Sequence, residues 1–302
     1  MLQSHCTVEV LMQDLGTIQL STLPVRNHGS KMTINKGNIL LCGGSPDVMK
    51  CIQFDHGTWK DHSTLNRIRT SHSAVATQTA TFLFGGSNYD IFINEAVYGM
   101  GLVPAIKSRK SYEYLPTNSN TWLMGKNEIP RGFEYGFAIA SKCGEKVWLI
   151  GGLETEKRIL SFDTQEHTFQ KLPSQLNQGR RCHRCAYIPN TNKIMITGGF
   201  YGSVPNCYDS VEIFDTDDGS VTMASPMNEK RSGHGMGIVT INGEERLAVF
   251  GGASGSCTYL DSVELYNTQT EQWETTTIKM KEPKADFAFL EVKYGDIISE
   301  LQ

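Results

Sequence analysis

The most reactive residue types of the chain lie close together at residues 180–185, in the stretch RRCHRC. Two cysteines separated by two residues could hold zinc or carry redox chemistry. A structural zinc site needs four ligands, usually from two such pairs, and the sequence has no second Cys-x-x-Cys. Redox pairs begin a helix in a βαβ context, which the surrounding pattern does not show. On a strand, Cys182 and Cys185 point to opposite faces, so we expect both to be packing residues.

Arginines recur along the chain at spacings that could bring them to one surface. Guanidinium groups bind carboxylates through two parallel hydrogen bonds, so a set of them could capture an acidic peptide. The alternative is that each one pairs with a carboxylate or a backbone carbonyl of its own fold. The candidate partner-binding arginines are Arg26, Arg69, Arg131, Arg180, Arg181 and Arg231.

A second series begins three residues after five of these arginines and could hold a metal ion. Two histidines and a glutamate are ligand types, but an arginine in the same series would repel a cation, so structural roles are favoured. The series is Gly29, His72, Glu134, Arg184 and His234. The sequence also lacks the phosphate-loop pattern G-x-x-x-x-G-K-[ST] and the nucleophile pattern G-x-S-x-G. We therefore expect no catalytic residue, no metal and no cofactor.

Composition excludes several classes of protein. The chain has 302 residues and a formal net charge of −4, which argues against nucleic-acid binding. No apolar run approaches the roughly 18 residues of a membrane-spanning helix, and the first residues do not resemble a secretory signal. Without such a signal, we expect the eight cysteines to be reduced and the protein to be cytoplasmic.

The elements that position these residues are short strands arranged in a repeat. A Gly-Gly pair follows an apolar strand five times, beginning at Gly43, Gly85, Gly151, Gly198 and Gly251. An arginine precedes each pair by 16 to 20 residues, and a strand with an aromatic residue near its end follows it. A further strand carries a bulky apolar residue, often tryptophan. Each unit therefore contains four strands, and helical periodicity is nowhere sustained.

These repeats resemble the kelch repeat over nearly the whole chain, and the resemblance implies an all-β, six-bladed β-propeller of four-stranded antiparallel blades. Five units are complete. The segments TVEVLMQDLGTIQL at the start and KADFAFLEVKYGDIISELQ at the end are similar to the two halves of a sixth blade. We therefore expect one domain over residues 1–302, closed by pairing of its N-terminal and C-terminal strands, which removes free sheet edges. The alternative is a five-bladed ring with loose ends.

Blade two carries an unusually long inter-strand insertion at residues 87–111. Loops beyond about 12–15 residues are uncommon in compact domains and are often functional. This one is apolar and contains Tyr89, Phe92, Tyr98 and Met100, so it must pack either on its own propeller or on a partner. We include these four residues among the partner-binding candidates.

The function implied by the resemblance is a non-enzymatic protein-interaction scaffold or adaptor in a larger assembly, such as a cytoskeletal or ciliary structure. We expect other proteins as partners, no nucleic acid, no membrane insertion and a monomeric ring within the complex. Two alternatives stay open: an enzyme acting on a sugar-like molecule in the channel mouth, and the substrate receptor of a ubiquitin ligase working with a separate partner. The copper-oxidase members of the wider group are disfavoured, because no Tyr-His dipeptide occurs.

Overall fold

The computed structural model describes most of the chain between residues 7 and 289. The described ranges are 7–12, 16–22, 29–44, 49–55, 58–87, 110–131, 138–141, 146–152, 156–202, 206–241, 243–255 and 258–289. The chain divides into two compact units. Unit one contains Met1–Thr7, Ser21–Gly136 and Ala288–Gln302, and unit two contains Val8–Leu20 and Phe137–Phe287.

Unit one contains two four-stranded antiparallel blades. Blade one consists of β3 (Lys31–Asn35), β4 (Asn38–Cys42), β5 (Lys50–Asp55) and β6 (Thr58–Thr64). Blade two consists of β7 (Ser73–Ala76), β8 (Ala80–Phe84), β9 (Tyr112–Pro116) and the two-residue β10 (Leu123–Met124).

Unit two contains three blades of the same kind. Blade three consists of β11 (Ala138–Ser141), β12 (Lys146–Ile150), β13 (Arg158–Asp163) and β14 (Thr168–Gln175). Blade four consists of β15 (Arg184–Tyr187), β16 (Lys193–Thr197), β17 (Val211–Asp215) and β18 (Val221–Ala224). Blade five consists of β19 (Gly235–Ile241), β20 (Glu244–Phe250), β21 (Ser262–Asn267) and β22 (Gln272–Lys279).

The prediction of a sixth blade closed by both chain ends is wrong, because the described residues form five four-stranded blades. The N-terminal strands β1 (Thr7–Met12) and β2 (Gly16–Thr22) pair with each other in a separate two-stranded sheet. A hairpin needs only a short local connection, whereas the predicted blade needed pairing between distant chain ends. The C-terminal segment also lacks the Gly-Gly pair that follows the second strand of all five blades. Whether residues 1–302 form a single domain stays a prediction.

Strand position within a blade matches the pattern of burial. The second strand is apolar and almost wholly buried, as in β8 and β16, which is typical of an inner strand of a sheet. The fourth strand alternates, as in β14, because one of its faces meets water. Aromatic side chains pack between the third and fourth strands, and the ring centroids of Tyr266 and Trp273 lie 5.3 Å apart.

In blades one, three and four, the first glycine of the pair allows the backbone to approach the next blade. Gly198 has a φ of 61°, and a Cβ atom there would lie 2.3 Å from the carbonyl oxygen of Arg231. Any side chain would therefore clash with backbone atoms as well as strain the turn.

A disulfide bond joins Cys42 of β4 to Cys51 of β5. The expectation that all cysteines are reduced is wrong for this pair. The two residues face each other directly across the strands, which the sequence alone could not reveal without the register.

Candidate interaction site

In blade five, the repeated arginine forms a buried ion pair with a glutamate. Arg231 and Glu264 are both 0% exposed, and Arg231 Nη2 donates to Glu264 Oε1 at 2.8 Å. Arg231 Nη1 donates to the carbonyl oxygens of Gly251 at 2.8 Å and Ser262 at 3.2 Å. The backbone N–H groups of Asn228 and Glu229 also donate to the Glu264 carboxylate, at 2.6 and 3.1 Å. One buried ion pair thus connects the segment entering the blade, the glycine turn and the third strand.

The same arrangement occurs in blades two and four. Arg69 donates to Glu113 at 2.9 Å, and Arg180 donates to Glu212 at 2.8 Å, with all four side chains 0% exposed. In each case the arginine also donates to the carbonyl oxygen of the first glycine of the pair. We call these three sets the Arg–Glu networks. A buried charge that lacks an ionic partner or hydrogen bonds destabilises the fold. In these networks each buried charge has both an ionic partner and several hydrogen bonds.

Three of the predicted partner-binding arginines belong to the Arg–Glu networks. Arg69, Arg180 and Arg231 lie in the interior and bind a local carboxylate, as the alternative interpretation had it. A partner has no guanidinium surface to contact at these positions. A partner that contacts a guanidinium group of this chain must therefore contact an arginine outside the Arg–Glu networks.

Three buried histidines follow the network arginines by three residues. His72, His183 and His234 pack against the first glycine of the preceding blade, where an added Cβ would lie within 3.0 Å of the imidazole Cε1. Burial lowers the pKa of all three imidazoles well below the usual value, and the neighbouring arginines lower it further. These histidines are therefore neutral packing residues. Among the described residues, no three His, Cys, Asp or Glu side chains are grouped to hold a metal ion.

The register of the repeat in blade four differs by one residue from the predicted one. Arg180, and not Arg181, takes the place of Arg69 and Arg231, so His183 belongs to the histidine series and Arg184 does not. A signal for this exists in the sequence. An asparagine lies three residues before each network arginine, as Asn66, Asn177 and Asn228.

Arg181 is placed differently from its neighbour and lies half-buried at the surface. Its backbone pairs with Phe200 in an isolated bridge, and its guanidinium carbon lies 4.8 Å from the centre of the Phe200 ring. Arg181 Nη2 donates to the carbonyl oxygen of Gly202 at 2.8 Å. Tyr201, between these two residues, is 56% exposed. We call Arg181, Phe200, Tyr201 and Gly202 the Arg181 surface.

The remaining predicted site residues have diverse positions. Arg131 is exposed, two residues after the buried Ile129, whereas a network arginine lies four residues after the corresponding position. Arg26, Tyr89, Phe92, Tyr98 and Met100 lie outside the described residues. Their role in partner binding stays a prediction.

The Cys-x-x-Cys pair shows no arrangement for metal or redox chemistry. Burial raises the pKa of the Cys185 thiol, which disfavours the reactive thiolate. Sequence reasoning also missed three exposed apolar side chains on outer strands, Leu123, Met124 and Met223.

No helix among the described residues is long and apolar enough to cross a membrane.

Comparison with known proteins identifies the repeat. Residues 181–228 and 231–277 match the family model of the Kelch motif. Over 140 residues the chain is 29% identical to Kelch-like protein 26 of Danio rerio. This match covers 44% of the chain and 22% of that relative, so the chain spans much less than the relative's full length.

Solved structures share the fold at low sequence identity. YjhT matches with a TM-score of 0.72 and 13% identity over 90% of this chain and 91% of its own. A fungal alcohol oxidase of the AA5 family, solved in complex with copper, matches with a TM-score of 0.66 and 17% identity. That match covers 88% of this chain and 56% of the oxidase. At such identities the two matches show the fold alone.

Proposed function

Because the chain is a kelch-repeat protein built from β-propeller blades, we propose that it is a protein-interaction scaffold or adaptor and not an enzyme. The observation that carries the proposal is the Arg181 surface. It presents a tyrosine that is 56% exposed beside a fixed arginine, on a turn that follows a glycine pair. Tyrosine and arginine are the residue types that most often dominate the affinity of protein interfaces.

The geometry of Arg181 favours a partner that carries a carboxylate. Stacking on Phe200 and the hydrogen bond to Gly202 hold the guanidinium in one orientation before a partner arrives. Less side-chain entropy is then lost on binding, and the planar donor fork suits a carboxylate. An aromatic or apolar group beside that carboxylate would cover the Tyr201 ring. We therefore propose an acidic peptide segment with a neighbouring apolar residue as the bound element.

A selection experiment with displayed random peptides tests this proposal. Peptides enriched on the wild-type protein should contain Asp or Glu next to an apolar residue. Arg181→Glu should weaken their binding by at least about tenfold, and Tyr201→Ala by a similar factor. Lys171→Glu is the matched control, since Lys171 is an exposed cation on β14 of the same unit and should leave binding unchanged. Equal binding to all variants, with each folded by circular dichroism, would refute the role of this surface.

The blade-two insertion is the second proposed contact. Its apolar residues Tyr89, Phe92, Tyr98 and Met100 need a covering surface, and the sequence leaves open whether a partner supplies it. Deletion of residues 89–106 should remove a specific partner from affinity captures identified by mass spectrometry. Retention of every partner by a folded deletion variant would count against this contact.

The partial likeness to Kelch-like protein 26 favours a second candidate role, that of a substrate receptor of a ubiquitin ligase acting with a separate partner. Co-purification with a ligase complex would distinguish this role from that of a general scaffold. A cytoplasmic location, in a cytoskeletal or ciliary assembly, stays a prediction from sequence and family resemblance.

A further inference from the structure

In each blade, the last residue of the second strand lies directly before the glycine pair and faces a residue of the third strand. The two residues at this position differ from blade to blade. They are Cys42 and Cys51, Phe84 and Tyr112, Ile150 and Ile159, Thr197 and Val211, and Phe250 and Val263. Each pair joins the second strand to the third at the same register. Among these five pairs, the one in blade one alone can form a covalent bond.

The backbone register brings the two cysteines especially close. Gly43 N donates to the carbonyl oxygen of Lys50 at 2.9 Å, so the adjacent Cys42 and Cys51 occupy a non-hydrogen-bonded pair. Side chains approach most closely at such pairs in antiparallel sheets. The disulfide therefore fits the ladder without interrupting its hydrogen bonds.

Blade one, like blade three, lacks the glutamate that anchors the third strand in blades two, four and five. In blades two, four and five, the residue that follows this position on the third strand is the network glutamate, Glu113, Glu212 or Glu264. In blade one it is Ile52, which is buried and has no group that could bind a guanidinium. The third strand of blade one is therefore held without this glutamate, and the disulfide joins it covalently to β4.

We propose that the Cys42–Cys51 disulfide replaces the Arg–Glu network as the anchor of blade one and makes this blade sensitive to redox conditions. Both cysteines are 0% exposed. They lie in an apolar cluster that joins blade one to blade two within unit one and includes Leu65, Leu83 and Trp122. Loss of the bond loosens β5 and the packing of that cluster, whereas the ion pairs of blades four and five carry no group that a thiol can reduce.

The chemical step is thiol–disulfide exchange with a dithiol. One thiolate of the dithiol attacks one cysteine sulfur, which breaks the S–S bond and releases the other cysteine as a thiolate. The second thiolate then attacks the dithiol sulfur of the mixed disulfide and releases the first cysteine. Two electrons pass to the protein, which gains two protons as two thiols, and the dithiol becomes a cyclic disulfide. Because the protein disulfide is fully buried, the first attack requires local opening of blade one.

The test uses the full chain with and without dithiothreitol. Non-reducing peptide mapping, after alkylation in denaturant, should find residues 42 and 51 in one linked peptide of protein refolded in a glutathione buffer. Hydrogen exchange then compares β4 and β5 with β16 of blade four. For a loop closed by residues 9 apart, reduction should accelerate the slowest amides of blade one by about 80-fold and leave those of β16 unchanged.

The variant Cys42→Thr/Cys51→Val is the matched control, since it installs the pair that blade four carries at the same register. Its blade one should exchange rapidly and should not respond to dithiothreitol. If this variant does not fold, the comparison of wild-type exchange rates with and without dithiothreitol still tests the proposal. Alkylated, unlinked cysteines in the oxidised protein would overturn the proposal. So would a linked pair whose reduction leaves blade one unchanged or affects blades one and four alike.

Discussion

Removal of the network glutamate should destabilise blade four more than blade five. In both blades the substitution to leucine leaves a guanidinium that is 0% exposed without its buried carboxylate. Breaking a buried ion pair by removing one partner costs about 3–5 kcal/mol. The position within this range depends on what else the guanidinium can bind.

The two blades differ in a second acidic partner. Arg231 Nη2 also lies 3.0 Å from Glu229 Oε2, a carboxylate that is 41% exposed and is retained when Glu264 is removed. In blade four the corresponding residue is Gln178, whose Oε1 accepts from Arg180 Nη2 at 3.4 Å but carries no charge. We therefore expect Glu264→Leu to lower the free energy of unfolding by about 3 kcal/mol and Glu212→Leu by about 5 kcal/mol.

Urea unfolding followed by tryptophan fluorescence measures both values. The double variant Arg231→Phe/Glu264→Leu supplies the control, because blade three has Phe133 and Leu160 at the same positions of the repeat. Removing both charges should recover most of the loss, since no unpaired ion is left buried. The reasoning fails if Glu212→Leu costs no more than Glu264→Leu, or if the double variant is as unstable as the single one.

Two further predictions concern the buried histidines and the glycine turn. The histidines stay neutral in the folded state but bind protons near pH 6.5 when unfolded, so stability falls as the pH drops below about 6.5. Between pH 7.5 and 5.5 three such groups should together lower the free energy of unfolding by about 4 kcal/mol, and urea midpoints independent of pH in this window would contradict their neutral burial. Gly198→Ala should cost about 3 kcal/mol, because its Cβ would overlap the Arg231 carbonyl oxygen, whereas Gly202→Ala meets nothing within 4 Å and should cost only about 1 kcal/mol from its positive φ. Thermal unfolding of the two variants tests this order, and equal losses would refute it.

The strands were predictable from sequence because each ends in a recognisable signal. The glycine pairs at Gly43, Gly85 and Gly198 follow second strands that are nearly continuous in apolar residues, and the structure places β4, β8 and β16 there. The sixth blade was not predictable in this way. Its halves, at the two chain ends, carried strand-like patterns, but a pattern of that kind does not determine which strands pair.

The site was less predictable because spacing alone does not tell an interior arginine from an exposed one. Arg180 and Arg181 precede the pair at Gly198 by 18 and 17 residues, and both distances fit the repeat. The ion pair with Glu212 identifies Arg180 as the buried one, and the asparagine three residues earlier is the sequence signal that spacing to the glycine pair does not use. The disulfide was missed for a related reason, since Cys42 and Cys51 are partners only once the register of β4 and β5 is known.

The contrast between Arg180 and Arg181 separates the structural role of the repeat from its proposed function. A buried arginine that holds three segments together cannot also bind a partner without leaving its carboxylate unpaired. Adjacent residues of an extended chain point to opposite sides, so the residue beside a network arginine does not face the network carboxylate. Arg69 and Arg231 are followed by Thr70 and Ser232, both buried, whereas blade four has a half-buried arginine at this place. A binding surface can therefore arise in one blade by changing this single position, because the Arg–Glu network behind it continues to hold the fold.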